Sequence, residues 1–256
     1  MTTGPAHARL LILAFLAAAC LGSLHAGTSD AIVAADPGQR VAADRRVHPV
    51  SGRRIADVMS HRAADWLDRP ERLQEEQPHR AVAALGLRPG DVVADVGAGT
   101  GYYTVRLARA VAPGGRVVAT DIQPEMLELL EARLTRERVE GVTTVLGAAG
   151  DPRLPERTFD LILMVDVYHE LAEPQLMLRK LRTALRPGGR LVLIEFRKED
   201  PRVPIRPEHK MSVAEASLEL EAEGYELAEV LDVLPWQHIL VFRTAAPPDQ
   251  PARQVR

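Results

Sequence analysis

"DVVADVGAGTGYYTVRLARA", Asp91 to Ala110, decides the fold. It passes from a β-branched run, through Gly97, Gly99 and Gly101, into a segment with helical spacing. The run "DVVADV" shows no regular polar alternation, so it reads as a strand covered on both faces. A glycine cluster between such a strand and a helix lets the backbone come close to a ligand at the helix N-terminus, at the C-terminal edge of a parallel sheet.

Outward from this stretch one connection recurs. "LRPGDVVADV" from Leu87, "VAPGGRVVATD" from Val111 and "LRPGGRLVLIEF" from Leu185 each set Pro-Gly between a helical segment and a Val/Leu-rich run. Proline cannot continue a helix, and glycine supplies the positive φ that ends one. Helix, short turn and buried strand in alternation predict an α/β fold: a Rossmann-like, doubly wound sheet, mostly parallel, with helices on both faces. Strands are expected near residues 92–95, 116–120, 143–146, 161–165 and 190–195, and helices near 102–112, 124–138 and 174–185. A helix over 213–223 is marked by the capping box "SVAE", Ser212 to Glu215, and by Gly224 at its end. "YELAEVLDVL" and "QHILVFRT" lie too close together for a helical crossover, so they should pair antiparallel as a hairpin at the sheet edge.

Spacing then selects the ligand. The dinucleotide fingerprint is G-x-G-x-x-G, whereas Gly97, Gly99 and Gly101 give G-x-G-x-G, and the bulky Tyr102 fills the last dinucleotide position. That argues against NAD, which leaves an oxidoreductase as the weaker reading. Asp95, two residues before Gly97, would repel a pyrophosphate but suits a cationic ligand.

On these residues the chain resembles the class I S-adenosylmethionine-dependent methyltransferases, whose first motif is an acid followed by G-x-G-x-G. The resemblance spans about Leu85 to Phe242. It implies that S-adenosylmethionine is the cofactor, with Asp95 and the backbone of Gly97, Ala98, Gly99 and Gly101 around its methionine moiety. Asp121, at the end of the second strand in "VVATDIQPEM" with Ile122 beside it, would accept both ribose hydroxyls, since one ionised carboxylate can take two donors. Asp121 also has a local reading, as an N-cap ahead of Pro124. Asp151 in "GAAGDPRLP" resembles the acid that contacts the adenine amino group. The short segment between Leu146 and Phe159 leaves open whether Gly150 or Asp151 faces adenine, and Asp151 before Pro152 could equally start a turn.

Methyl transfer from a sulfonium is an in-line displacement, so orientation and desolvation of the acceptor matter most, with a base where the acceptor carries a proton. The candidate cluster is "DVYHE", where Asp166, Tyr168, His169 and Glu170 follow the fourth strand and Asp166 also borders the cofactor. His169 is a candidate general base. A purely structural role for His169 and Glu170, as a hydrogen-bonding pair at a turn, is the competing reading. Glu195, Phe196, Trp236, Gln237 and His238 are further pocket candidates. "HELAE" lacks the second histidine of a zincin, and no metal site is expected. The branch that looks most similar includes small-molecule, quinone and arsenite methyltransferases; the arsenite enzymes rely on several cysteines, which this chain lacks. A non-catalytic ligand-binding or scaffold protein on the same fold is the second class of function.

The 256 residues suit one domain with appendages. Net charge is −3 with acids and bases interleaved, which offers no footprint for nucleic acid. The single cysteine, Cys20, excludes an internal disulfide and leaves the domain without thiol chemistry. Arg9 precedes "LLILAFLAAAC", an apolar run with the shape of a signal peptide and short for a membrane span. "AAAC", Ala17 to Cys20, resembles a lipobox with Ala17 where leucine is usual, and cleavage near "LHA", Leu24 to Ala26, competes with it. The expected organisation is a signal or membrane anchor over 1–26, a linker over 27–49, a helical cap over 50–84, the methyltransferase-like domain over 85–244 and a disordered tail over 245–256. Export, as a periplasmic or membrane-tethered protein, is expected from this segment, and a cytoplasmic location if it does not act as a signal. S-adenosylmethionine is made in the cytoplasm, so the leader and the cofactor stand in tension.

Overall fold

The computed structural model describes residues 47–245, so the leader, Cys20, most of the linker and all but the first residue of the expected tail lie outside the described residues. Seven strands form one sheet: β1 (Val92–Val96), β2 (Arg116–Asp121), β3 (Val142–Leu146), β4 (Phe159–Val165), β5 (Leu185–Phe196), β6 (Tyr225–Leu231) and β7 (Gln237–Thr244). Their order is β3-β2-β1-β4-β5-β7-β6. The first five run parallel, and β7 lies antiparallel to both β5 and β6. The expected hairpin is therefore present with its second strand inside, between β5 and β6.

The helices are α1 (Arg72–Glu75), α2 (Pro78–Ala84), α3 (Thr104–Val111), α4 (Pro124–Glu137), α5 (Pro174–Ala184) and α6 (Val213–Glu221), with a 3-10 helix at His61–Asp68. Ser212 and Glu215 form the expected capping box. All three Pro-Gly turns place their glycine at positive φ: Gly90, Gly114 and Gly188. The third is not a free turn, because β5 begins at Leu185 opposite Phe159 and changes register before Arg190 meets Leu161, so the glycines are absorbed into a strand irregularity.

Alternation along the central strands builds a core on each face. Ala94, Ile162, Met164, Leu191 and Leu193 pack with Leu178 and Leu181 of α5 and Leu220 of α6. Val93, Leu161, Leu163, Val192 and Ile194 pack with Leu107 and Val111 of α3 and Ala81 of α2. Each such leucine, fully buried, contributes about 1.5–3 kcal/mol.

The residues ahead of α1 form a strap held by buried charge. Arg53 donates from Nε and Nη2 to the two Glu219 oxygens at 2.8 and 3.1 Å, and from Nη1 to the His169 carbonyl at 2.9 Å. Glu219 is fully buried and Arg53 nearly so. Removing one partner strands the other charge, so Arg53→Met is expected to cost about 3–5 kcal/mol, with Arg53→Met/Glu219→Leu recovering more than half of the loss. Chemical denaturation of both variants checks this; a double variant as unstable as the single one would contradict it.

A second buried acid joins β1 to α3. Thr104 Oγ1 donates to Asp95 Oδ2 at 2.6 Å, and Asp95 is 2% exposed. Burial raises this carboxyl to about 6; the Thr104 hydrogen bond opposes the shift and the Asp121 charge adds to it. The folded chain thus holds the proton more tightly than the unfolded one, so the contribution of Asp95 is present below about pH 4 and is lost as pH rises through about 6. Asp95→Asn carries no charge to bury and is expected to exceed the parent in stability by up to about 3 kcal/mol near pH 8 and to lose that advantage near pH 4. Urea unfolding at the two pH values checks the sign, which an equal difference at both would contradict.

Candidate active site

The glycine loop leaves β1 under close contact on both sides. The N–H groups of Gly97 and Ala98 both donate to the Thr120 carbonyl, at 2.8 and 3.0 Å, and Gly99 N–H donates to Asp121 Oδ2 at 3.0 Å. Gly97 and Gly99 have positive φ, and a Cβ added to them would lie 2.5 Å from Val167 Cγ2 and 2.9 Å from Leu67 Cδ1. Gly97 leaves no room for a Cβ, and at Gly99 a side chain would have to push the Leu67 methyl aside from a left-handed backbone. Gly101, also at positive φ, faces Leu130 of α4, 2.9 Å from where its Cβ would be, and Ala98 is buried with Ala119 and Leu130. The first two glycines therefore line the cavity beside the loop, whereas Gly101 and Ala98 serve packing.

That cavity holds about 730 Å³. Asp121 lies on its wall with both carboxylate oxygens oriented by backbone donors, Gly99 on one and Gln123 N–H at 2.9 Å on the other. Asp121 does not cap α4, whose N-cap is Gln123. The Gln123 side chain ties the strap across the opening: its Nε2 donates to the Met59 carbonyl and its Oε1 accepts from His61 N–H, both at 2.9 Å. Ile122 lines the cavity.

Other expected contacts fall elsewhere. Asp95 lies behind the loop, bound to Thr104, and is not on the cavity wall. Gly150 and Asp151 are turned away from the cavity, whose wall here is made by Gly147, Ala148, Ala149 and Pro152. A tight turn between Ala148 and Asp151 directs the Asp151 carboxylate to Arg153 N–H at 2.8 Å and to Lys180 at 3.3 Å. The Gly150 position faces Leu176 and Glu173. The turn reading of Asp151 is the one the geometry supports.

Sheet order assembles the opposite wall. Parallel β4 lies between β1 and β5, so the residues leaving β4 pass beside the glycine loop on one side and the end of β5 on the other. Asp166, at φ +54, accepts from Gln237 Nε2 at 2.8 and 3.0 Å, and burial together with the charges of Glu76 and Glu195 raises its carboxyl well above the usual range. His169, 2% exposed, meets Glu195 through Nδ1 at 2.6 Å, while Glu195 also accepts Tyr168 N–H at 2.9 Å. Burial alone would lower the His169 value; the Glu195 charge and hydrogen bond outweigh it and hold the imidazole above its ordinary 6.5. Glu170 accepts from Met59 N–H at 3.3 Å, and burial lifts it to about 7.

Tyr168 is a correction: it is fully buried in the core beneath the Arg53 guanidinium and does not reach the cavity. The 3-10 turn over Tyr168–Glu170 directs the Tyr168 side chain into the core and leaves His169 and Glu170 on the wall. Gln237 and His238 are buried in β7 behind the wall and Trp236 is off it, whereas Phe196 lines it.

Sequence reasoning missed His209, whose Nδ1 lies 3.2 Å from His169 Nε2. The chain leaves β5, makes a turn at Pro207–His209 and returns where Met211 N–H donates to the Phe196 carbonyl. It also missed Arg72 and Glu76, a buried pair at 2.7 Å on the same wall. Their spacing of four is a helix-pair signal, but nothing local shows that it faces a cavity.

The donor set fits S-adenosylmethionine. A glycine cradle with no room for a Cβ at Gly97 approaches the cavity, and an oriented carboxylate at Asp121 can take two hydroxyls. Residues 94–193 match a methyltransferase domain family. The ubiquinone/menaquinone biosynthesis C-methyltransferase UbiE of Hydrogenovibrio crunogenus is 35% identical over 119 residues, 46% of this chain and 47% of that one. Demethylmenaquinone methyltransferase of Symbiobacterium thermophilum is 37% identical over 127 residues, 49% and 51% of the two chains. The chain thus spans about half the length of these relatives. A solved S-adenosylmethionine-dependent methyltransferase from Aquifex aeolicus is 29% identical, with a TM-score of 0.68 over 72% of this chain and 98% of that one. The chain therefore has the class I methyltransferase fold and matches, over residues 94–193, a methyltransferase domain family.

Proposed function

We propose that the chain transfers the methyl group of S-adenosylmethionine to a small aromatic acceptor of the hydroquinone class. One observation carries this reading: the glycine loop with Asp121, and the His169 cluster, are walls of a single cavity of about 730 Å³, within the range of small-ligand sites. The names of the quinone-methylating relatives support the acceptor class, as do the apolar side chains of Val58, Met59, Leu171, Phe196 and Ile205 that share the wall.

S-adenosylmethionine supplies an electrophilic methyl group, and the rest falls to the chain. Asp121 would hold the ribose hydroxyls, with Gly97 and Gly99 giving the backbone room. Asp166 and Glu76 line the same cavity, where a bound sulfonium and ammonium would favour their ionised forms. His169, oriented through Nδ1 by Glu195, presents Nε2 to the acceptor hydroxyl and can take its proton. The strap closes the cavity over both parts: Leu67 lies against Gly99, and Met59 bonds to Gln123 on one side and Glu170 on the other. Excluding water in this way strengthens each of these interactions.

The leader extends the proposal. From Arg9 and the apolar run ending at Cys20, the protein is exported or tethered to a membrane, a reading that rests on the sequence alone. Among the described residues no helix is long and apolar enough to cross a membrane. Cell fractionation with mass spectrometry of the N-terminus tests it, and a chain with intact Met1 found in the cytosolic fraction would overturn it.

Calorimetry with S-adenosylmethionine and with NAD tests the cofactor site. The parent should bind the former alone, and Asp121→Ala should weaken binding by about 10- to 100-fold, the value of hydrogen bonds to a charged group. His169→Gln should keep cofactor affinity and lose most transfer across a hydroquinone panel. NAD binding, or an Asp121→Ala variant of unchanged affinity, would contradict the reading, and cofactor binding with no transfer by the parent would leave a scaffold in its place.

A further inference from the structure

We infer that His169, Glu170 and His209 form a binding site for one divalent transition-metal ion, zinc or a zinc-like ion, on the wall of the same cavity. One ligand atom from each of the three lies within 4.8 Å of the others. All three residues line the cavity. The proposal rests on these donors and not on the methyl-transfer reading.

Distances set the first argument. Two imidazole nitrogens bound to one tetrahedral zinc, each at about 2.0–2.1 Å, are separated by roughly 3.3 Å. His169 Nε2 and His209 Nδ1 are 3.2 Å apart, on rings 85° from coplanar. Two imidazoles and one carboxylate form one of the three-ligand sets of reactive zinc sites, with a further position left for water or a substrate oxygen. Glu170 keeps this capacity, since the Met59 N–H occupies only one lone pair of Oε2.

The support behind His169 is the second argument. A histidine that binds a metal almost always donates its other N–H to a carboxylate or carbonyl, which fixes the tautomer and raises its basicity. Glu195 is fully buried, holds His169 Nδ1 at 2.6 Å and is itself fixed by Tyr168 N–H. Donating Nδ1–H to Glu195 leaves the His169 lone pair on Nε2, aimed at His209. A direct imidazole–imidazole hydrogen bond is the competing use of that geometry, but it gives no part to Glu170.

With the ion in place, an acceptor hydroxyl would bind it through oxygen, its O–H bond would break, and the proton would leave to solvent. The metal would then make the oxygen acidic where metal-free His169 would take the proton itself. Either version serves the same acceptor.

The test uses the untagged full chain, treated with chelator and titrated with Co²⁺ in the absence of cofactor and acceptor. The expected result is the visible absorption of tetrahedral cobalt, saturating at one ion per chain and abolished by Zn²⁺. His209→Ala and Glu170→Gln should each weaken binding at least about tenfold, and Glu195→Gln about 10- to 100-fold through loss of the support. His79→Ala, at an exposed site outside the cavity, should leave binding unchanged. Circular dichroism confirms that each variant is folded. Absence of the cobalt bands in the parent, or bands that persist undiminished in both His209→Ala and Glu170→Gln, would overturn the proposal in favour of the hydrogen bond.

Discussion

The close approach at Gly97 sets the position of almost everything else. Its N–H and that of Ala98 share the Thr120 carbonyl, which ties the loop after β1 to the end of β2, and Val167 occupies the space a side chain would need. Because the backbone turns there at positive φ, Gly99 can reach Asp121, and Asp121 is held with both oxygens spoken for by N–H groups yet still on the cavity wall. Because Val167 fills the other side, the chain leaving β4 is pressed against the loop, which brings Asp166, His169 and Glu170 beside it. The glycine-loop wall and the His169 wall of one cavity thus follow from one contact between neighbouring parallel strands.

Buried charge maintains this arrangement at a cost in stability. Arg53 with Glu219, Arg72 with Glu76, and Asp95 with Thr104 are all nearly or fully removed from water. Apolar replacements for such groups are often no less stable. Their use here is positional: Arg53 holds the His169 carbonyl, Arg72 lies over the Tyr102 ring 4.2 Å away, and the strap they anchor covers the cavity.

What was legible in the sequence was local. The Pro-Gly turns, the capping box and the strand–glycine–helix unit depend on a few adjacent residues, and the structure contains each of them. The register shift that draws the third turn into β5 depends on Phe159, a residue in another strand, and could not be seen locally. In the candidate site, the Gly97, Gly99 and Asp121 positions were legible because the motif ties each to a strand end. Tyr168 was misplaced because a 3-10 turn carries it away from His169 and Glu170 and into the core, and Asp151 because its turn closes on itself toward Lys180. His209 carried no signal at all: it comes from an excursion out of β5, in a stretch without periodicity, and only the return at Met211 brings it to His169.

The central claim is that the glycine loop, Asp121, the strap and the His169 cluster enclose one cofactor-binding cavity. Hydrogen–deuterium exchange with and without S-adenosylmethionine measures this most directly. The account predicts added protection together at residues 97–101, 121–123, 57–67 and 166–170, with the edge strands β3 and β6 unchanged. Protection confined to the glycine loop, or no protection at saturating cofactor, would contradict it.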